Sequence, residues 1–205
     1  RLEWKNELLN NISSRQVAEN ITFPYNESLE DFEFRNASVE GKFLDNTQTF
    51  FFRPNLSGQS GYNVISAFKT IDDSVIYVDI GWIPFEQKEN IDFLDIDYNK
   101  NFSLKGILIS SKERNMFSPE NDYIENIWYT LSSTEMNKFY KLNGSFFILK
   151  IIDQNYFEQT LIEFNPTQIP NNHLQYAGTW FLLFIVVGIL YFYQVYQIIR
   201  IKWNT

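Results

Sequence analysis

Cysteine is absent from the 205 residues, and histidine occurs once, at His173. Without cysteine there are no disulfides, zinc ribbons, thiol catalysis, iron–sulfur clusters or thioether-attached c-type haem. A single histidine leaves any Ser–His–acid arrangement one candidate base and excludes an H-E-x-x-H metal site. The G-x-S-x-G elbow, the P-loop and the dinucleotide glycine fingerprint are missing too, so the residues argue against an enzyme. Basic residues are in deficit: 17 Lys and Arg stand against 25 Asp and Glu, a net charge of −8. A phosphate backbone would be repelled, so no nucleic-acid partner is expected.

Charge is wholly lacking in one stretch, "YAGTWFLLFIVVGILYFYQVYQII", the 24 residues from Tyr176 to Ile199. As a helix it would be about 36 Å long, enough for a tilted crossing of a ~30 Å hydrocarbon core. Trp180 near one end, with Tyr191, Tyr193, Tyr196 and Trp203 towards the other, supplies an aromatic belt for contact with membrane lipid. All acidic residues lie before Phe164, whereas Arg200 and Lys202 follow the apolar run. By the positive-inside tendency this basic tail stays on the cytoplasmic or matrix side. The acidic domain then faces the periplasm or the intermembrane space, on a bacterial plasma membrane or a mitochondrial inner membrane. The chain begins at Arg1 with no signal peptide, so a first transmembrane segment is expected upstream.

What remains is rich in aromatics, with 20 Phe and 12 Tyr, and long enough for one sizeable core. Leu2, Leu8, Leu9 and Ile12 share a helical face, which predicts an amphipathic helix over 2–17. Strands are expected at 33–44, 48–53, 61–70, 74–82 and 102–110, separated by turn chemistry at 45–46, 57–61 and 72–73. "STEMNKFYKL" at 133–142 reads as a short capped helix, and "SFFILKIID" and "QTLIEF" as the last two strands. The fold class is α+β: a β-rich domain of about seven strands with an N-terminal and an internal helix, followed by a C-terminal transmembrane helix. The expected organisation is a helix over 1–20 continuing from the upstream span, an outward domain over 21–170, a membrane helix over 174–200 and an inside tail over 201–205.

Several patterns invite a site and have blander readings. "DIDYNK" imitates the start of a calcium loop through Asp95, Asp97 and Asn99. That loop needs glycine at 100 and a bidentate glutamate at 106, where the chain has Lys100 and Gly106, so the stretch reads as a solvated acidic loop. "SGQSGY" at 57–62 reads as a glycine turn between strands rather than an anion nest. Seven N-x-S/T sequons, among them Asn11, Asn20 and Asn36, are taken as coincidental in so Asn-rich a chain.

In order, these stretches resemble the Surfeit locus protein 1 family of assembly factors for haem–copper cytochrome c oxidase. "RLEWKNELL" is similar to the family's segment after its first transmembrane helix. "FRPNLSGQSGYNVISAF" carries the family's Arg53, Gly58, Gly61, Tyr62 and Phe68. "VDIGWIP" carries Gly81, Trp82 and Pro84. "FSPEND" and "IWY" carry Asn121 and Trp128. "NNHLQYAGTWF" carries Asn171, His173, Leu174, Tyr176, Thr179 and Trp180. Two positions depart: Ile80 replaces the basic residue before Gly-Trp, and Ser66–Ala67 replace Thr-Pro.

The resemblance implies two membrane helices flanking an outward domain. It also implies non-enzymatic assistance in inserting haem a into the catalytic subunit of the oxidase, alongside other assembly factors. A second reading is a stable accessory or scaffold subunit that never binds haem. A haem held without cysteine needs side-chain ligands and apolar burial. On a helix starting near Asn171 or Asn172, His173 shares a face with Tyr176, Ala177 and Trp180. The positive end of the macrodipole there disfavours imidazolium, keeping the ring neutral. His173 is thus the candidate axial ligand to haem iron, with Tyr176 and Trp180 packing on the macrocycle. Its alternative role is to anchor the helix or hydrogen-bond to the outer domain. Arg53, Gly61, Tyr62, Gly81, Trp82, Pro84, Asn121 and Trp128 are expected to bind a partner or build the fold.

Overall fold

A computed structural model describes residues 10, 12–17, 20–22, 32–94, 96–153, 156–157, 160–162 and 173–203, with backbone alone at 90–94, 173–175 and 201–203. By its contacts the chain divides into two units, residues 1–164 and 165–205.

In the first unit the longest apolar runs become the longest strands. Strand β4 (Gly61–Thr70) and strand β5 (Val75–Pro84) are buried along almost their whole length. Such two-sided burial requires cover on both faces. Around them lie β1 (Ile21–Thr22), β2 (Asn36–Phe43), β3 (Thr49–Phe52), β6 (Phe102–Ser110), β7 (Ile127–Trp128) and β8 (Gly144–Ile151), in the order β1-β2-β6-β8-β5-β4-β3-β7. Among the described residues the count is eight rather than about seven: β1 and β7 are added, two-residue strands without an alternating signal, while the expected "QTLIEF" strand forms no ladder.

The sheet closes on itself. Strand β2 pairs with β6 from Asn36 to Gly41, and its end also pairs with β4 through Gly41↔Thr70, Lys42↔Lys69 and Phe43↔Phe68. The ring β2-β6-β8-β5-β4 is therefore a five-stranded barrel, which removes the open edges of its members. Gly41 sits where β2 passes from one neighbour to the other, and a Cβ there would overlap the backbone carbonyl of Lys69. Only glycine allows so close a crossing of backbones.

One cluster fills the barrel from alternate strand positions: Val39 and Phe43 of β2, Val64 and Phe68 of β4, Ile76, Val78 and Ile80 of β5, Leu104 and Leu108 of β6, and Leu149 of β8. Phe43 makes edge-on contacts with Phe68, Phe102 and Phe157 at 5.0–5.7 Å between centroids, the geometry favoured by aromatic quadrupoles. The opposite strand faces form a second cluster, Ile65, Ala67, Tyr77, Trp128 and Ile148, covered by Met136 of helix α2 (Ser133–Tyr140). Here α1 is the helix described at 10 and 12–17; the rest of the expected 2–17 helix lies outside the described residues. Helix α2 is N-capped by Ser132, whose Oγ accepts from Glu135 N, and it ends at Lys141 in the left-handed region. It ends two residues before the expected 142, at the left-handed Lys141, and Asn137 binds Gly144 through both its side-chain atoms where β8 starts.

The last two expected elements of this unit turn out differently. "QTLIEF" forms no ladder among the described residues; Leu161 makes one antiparallel bridge to Trp82. A 3-10 helix, Phe85–Leu94, follows Pro84 where only a strand exit was expected. The second unit contains α3 (His173–Trp203), and Tyr176–Arg200 within it is long and apolar enough to cross a membrane, with mean hydropathy 2.0.

A candidate ligand cleft and the start of the apolar helix

The "VDIGW" segment of β5 carries one carboxylate in an apolar run, and "FILKI" of β8 carries one ammonium in another. The parallel pairing of the two strands sets Asp79 beside Lys150. Both are buried, and Lys150 Nζ donates to Asp79 Oδ2 at 3.1 Å. Asn63 of β4 donates from Nδ2 to both carboxylate oxygens at 2.9 Å, and Gly81 N donates to Oδ1 at 3.1 Å. Four contacts saturate the lone pairs of Asp79, the condition for keeping a buried charge.

Above this cluster lies the resemblance-bearing segment. Trp82 Nε1 donates to the carbonyl oxygen of Arg53 at 2.8 Å, and Arg53 N donates to Gly61 O at 3.0 Å. A Cβ at Gly61 would overlap the Trp82 ring and the Ile83 carbonyl. Gly61 is therefore the gap that seats the indole. Gly81 has φ +131°, and a Cβ there would lie 2.5 Å from Thr160 Oγ1. The ladder shifts register at this point: Val64 opposes Gly81 while Ile65 opposes Asp79. The bulge leaves Ile80 in the barrel. Ile80 is fully buried, so this position is core in this chain.

Tyr62 follows Gly61 and packs between Phe50, Phe52 and Phe85, stacking on Phe85 at 5.6 Å. Burial chiefly, with Tyr129 and Glu125 adding to it, pushes the Tyr62 phenol above its ordinary range. Pro84 closes the β4–β5 ladder opposite Gly61. Arg53, Gly61, Tyr62, Gly81, Trp82 and Pro84 are thus one neighbourhood.

Asn121 and Trp128 form a second. Asn121 Oδ1 accepts from Tyr129 N at 2.8 Å and Thr130 N at 3.3 Å, while its Nδ2 donates to Glu135 Oε2 at 2.7 Å. Trp128 is fully buried, with Nε1 donating to Asn126 Oδ1 at 2.9 Å. The two neighbourhoods meet where Phe52 touches both Tyr62 and Tyr129.

His173 is the first residue of α3, and its side chain lies outside the described residues. Tyr176 and Trp180 are 64% and 69% exposed, one turn apart on the helix. Among the described residues no group of three His, Cys, Asp or Glu could hold a metal ion. Asp97 closes an Asx turn by accepting from Asn99 N at 2.9 Å, and Gly58 sits in a turn at φ +83°.

The profile of the SURF1 family matches residues 1–185. The chain belongs to the SURF1 family. It is 30% identical over 197 residues to a SURF1-like protein of Rickettsia prowazekii, covering 93% of this chain and 79% of that one. A SURF1-like protein of Rickettsia felis is 30% identical over 164 residues, covering 77% and 72%. Surfeit locus protein 1 of Homo sapiens is 26% identical over 216 residues, covering 94% and 69%. In this SURF1-family chain, inspection of motifs misses Asn63, Asp79 and Lys150. The available signal was one charge of each sign inside two apolar strand runs, a pattern that demands pairing.

Proposed function

We propose that this chain is an assembly factor for haem–copper cytochrome c oxidase. It assists insertion of haem a into the catalytic subunit and catalyses no chemical turnover. Membership of the SURF1 family across residues 1–185 carries this reading. Its partners are that subunit, other assembly factors and membrane lipid. Helix α3 anchors it, and the acidic domain works on the intermembrane-space or periplasmic side, the orientation that keeps Arg200 and Lys202 inside.

Haem a is cargo here, and the side chains offer few ways to hold its iron. Met136 is buried under α2, and Met116 projects from a loop, 89% exposed. His173 is the sole imidazole, at the first position of the apolar helix, with Tyr176 and Trp180 one and two turns further on. This set suits transient axial ligation at the membrane surface, where an apolar tail can rest in lipid while the ring stays near water.

The test is pigment. Full-length protein from cells that make haem a is expected to carry a Soret band that shifts or fades in His173→Ala. Colourless protein, or a band indifferent to the substitution, removes the ligand role. Permanent stoichiometric presence in mature oxidase would replace the assembly reading with that of a scaffold subunit.

A further inference from the structure

Arg53, Leu56, Trp82 and Lys150 border a cleft that encloses only about 30 Å³, room for a water rather than an organic ligand. What this end of the barrel offers is its outer surface. Leu56 stands at the tip of the β3–β4 turn, where Gly58 N donates to Asn55 O at 2.9 Å. Phe85 follows β5, and its N donates to Ser60 O at 3.3 Å. Leu161 exchanges backbone hydrogen bonds with Trp82, 2.8 Å each way. Strand β8 runs parallel to β5 and ends at Ile151, so Ile152 belongs to the same end. Leu56, Phe85 and Leu161 are each more than half exposed, and Ile152 nearly half. Exposed apolar residues gathered in one place mark a contact surface.

Two observations point to the occupant. The first is the chain's own route: the described part of the domain stops at Ile162 on this end, and residues 163–172 lead to His173 of α3. Fully extended they reach about 40 Å at most, so a bilayer crossed by α3 is within that distance of Ile162. The β4–β5 turn at the far end is about 30 Å more distant from Ile162, the length of β5. The second is charge. The β3–β4 turn, residues 53–60, has exposed Arg53 and no acidic residue, whereas the β4–β5 turn sets Asp72 and Asp73 beside exposed Ile71. A guanidinium suits a phosphodiester headgroup. Glu86 and Asp153, next to Phe85 and Ile152, keep such a contact in the headgroup layer, above the hydrocarbon.

We propose that this end of the barrel rests on the phospholipid surface of the membrane that α3 crosses, with Leu56, Phe85 and Leu161 at the interface and Arg53 on lipid phosphate. The β4–β5 turn then faces water. The proposal rests on α3 being a membrane span, but not on haem or on His173.

The absence of cysteine makes the test direct, because a nitroxide goes wherever one cysteine is introduced. Leu56→Cys, Ile71→Cys and Val187→Cys are each labelled in the full chain in phospholipid nanodiscs, and collisions with oxygen and with a water-soluble nickel chelate are compared. The label at 187 reports the span and should meet oxygen rather than nickel. Nickel access at 56 should be severalfold lower than at 71, and should rise when Arg53→Gln is added. In amphipol, which provides no bilayer, the label at 56 should become as accessible as the one at 71. Residues 56 and 71 are exposed turn positions, and circular dichroism checks that the fold is kept. Equal nickel access at 56 and 71 beside a lipid-buried label at 187 would overturn the docking and leave the anchor standing. Protection at 56 that persists in amphipol would assign the shielding to protein and overturn it too. A water-accessible label at 187 would remove the span, and the proposal with it.

Discussion

Trp82 Nε1 donates to the carbonyl oxygen of Arg53 at 2.8 Å, joining residues 29 positions apart. The bond fixes the backbone from which the Arg53 side chain leaves, and Gly61 makes room for the ring that forms it. Trp82→Phe keeps an aromatic ring and removes the donor, so a loss of about 1 kcal/mol is expected. Gly61→Ala puts a Cβ into the indole and the Ile83 carbonyl, and should cost about 2 kcal/mol or more. Urea midpoints of the two variants, read by circular dichroism, check the order; a G61A midpoint equal to wild type contradicts the packing.

The Asp79–Lys150 pair lends itself to a double-mutant cycle. Removing one buried partner leaves the other charge uncompensated, so Lys150→Met should cost about 3 kcal/mol. The Asp79→Asn/Lys150→Met double variant should be more stable than the sum of the two single losses, by about 1 kcal/mol or more. Strict additivity would mean that the ammonium and carboxylate do not interact.

Asn121 holds its loop through both ends of one amide. Asn121→Ala abandons the amide protons of Tyr129 and Thr130 and the Glu135 carboxylate, at about 2 kcal/mol. Hydrogen exchange should locate the effect: those two amides lose protection while the β4–β5 ladder keeps it.

Tyr77 couples stability to alkaline pH. Its hydroxyl donates to Asn137 Oδ1 at 2.9 Å, and burial first, then Tyr140, pushes its pKa well above the usual 10. Because the folded value is raised, the stability that the neutral phenol contributes is fully present below about pH 10. Above that the unfolded chain ionises first and stability falls with rising pH. The wild type should lose stability above about pH 10, more gently in Tyr77→Phe. An unchanged slope in Y77F would assign the alkaline loss to other groups.

Helix α3 can be tested as a membrane span. Val186→Arg places a charge near its middle, at an expected insertion cost of about 2.5–3.5 kcal/mol. Alkaline carbonate should extract more of the variant than of the wild type; equal resistance would speak against a span centred there.

Where the chain is periodic, strand positions were legible. The strands expected at 61–70 and 102–110 are β4 and β6. Strand β5 runs two residues past the expected 82 because Ile83 and Pro84 still face Tyr62 and Gly61 across the ladder. Strand β7 was hidden in "ENIWY", since two paired residues have no period and only β3 beside them makes them a strand. The family was legible from Arg53, Gly61, Gly81, Trp82 and the His173 block, whereas their duties were not. Gly61 serves Trp82, Trp82 serves the Arg53 backbone, and Asn121 serves a loop.

The amino-acid sequence by itself determined the apolar span, the charge asymmetry around it, the α+β class and the kinship, because each is a local or compositional property. Tertiary structure alone decided that the sheet closes. Gly41, Lys42 and Phe43 reach Thr70, Lys69 and Phe68 only after the intervening chain has folded back. It likewise decided that Asp79 and Lys150, 71 residues apart, become one buried pair under Trp82. A charge in a strand announces that it needs a partner, but which partner it meets depends on strand order, and strand order follows from how the barrel closes.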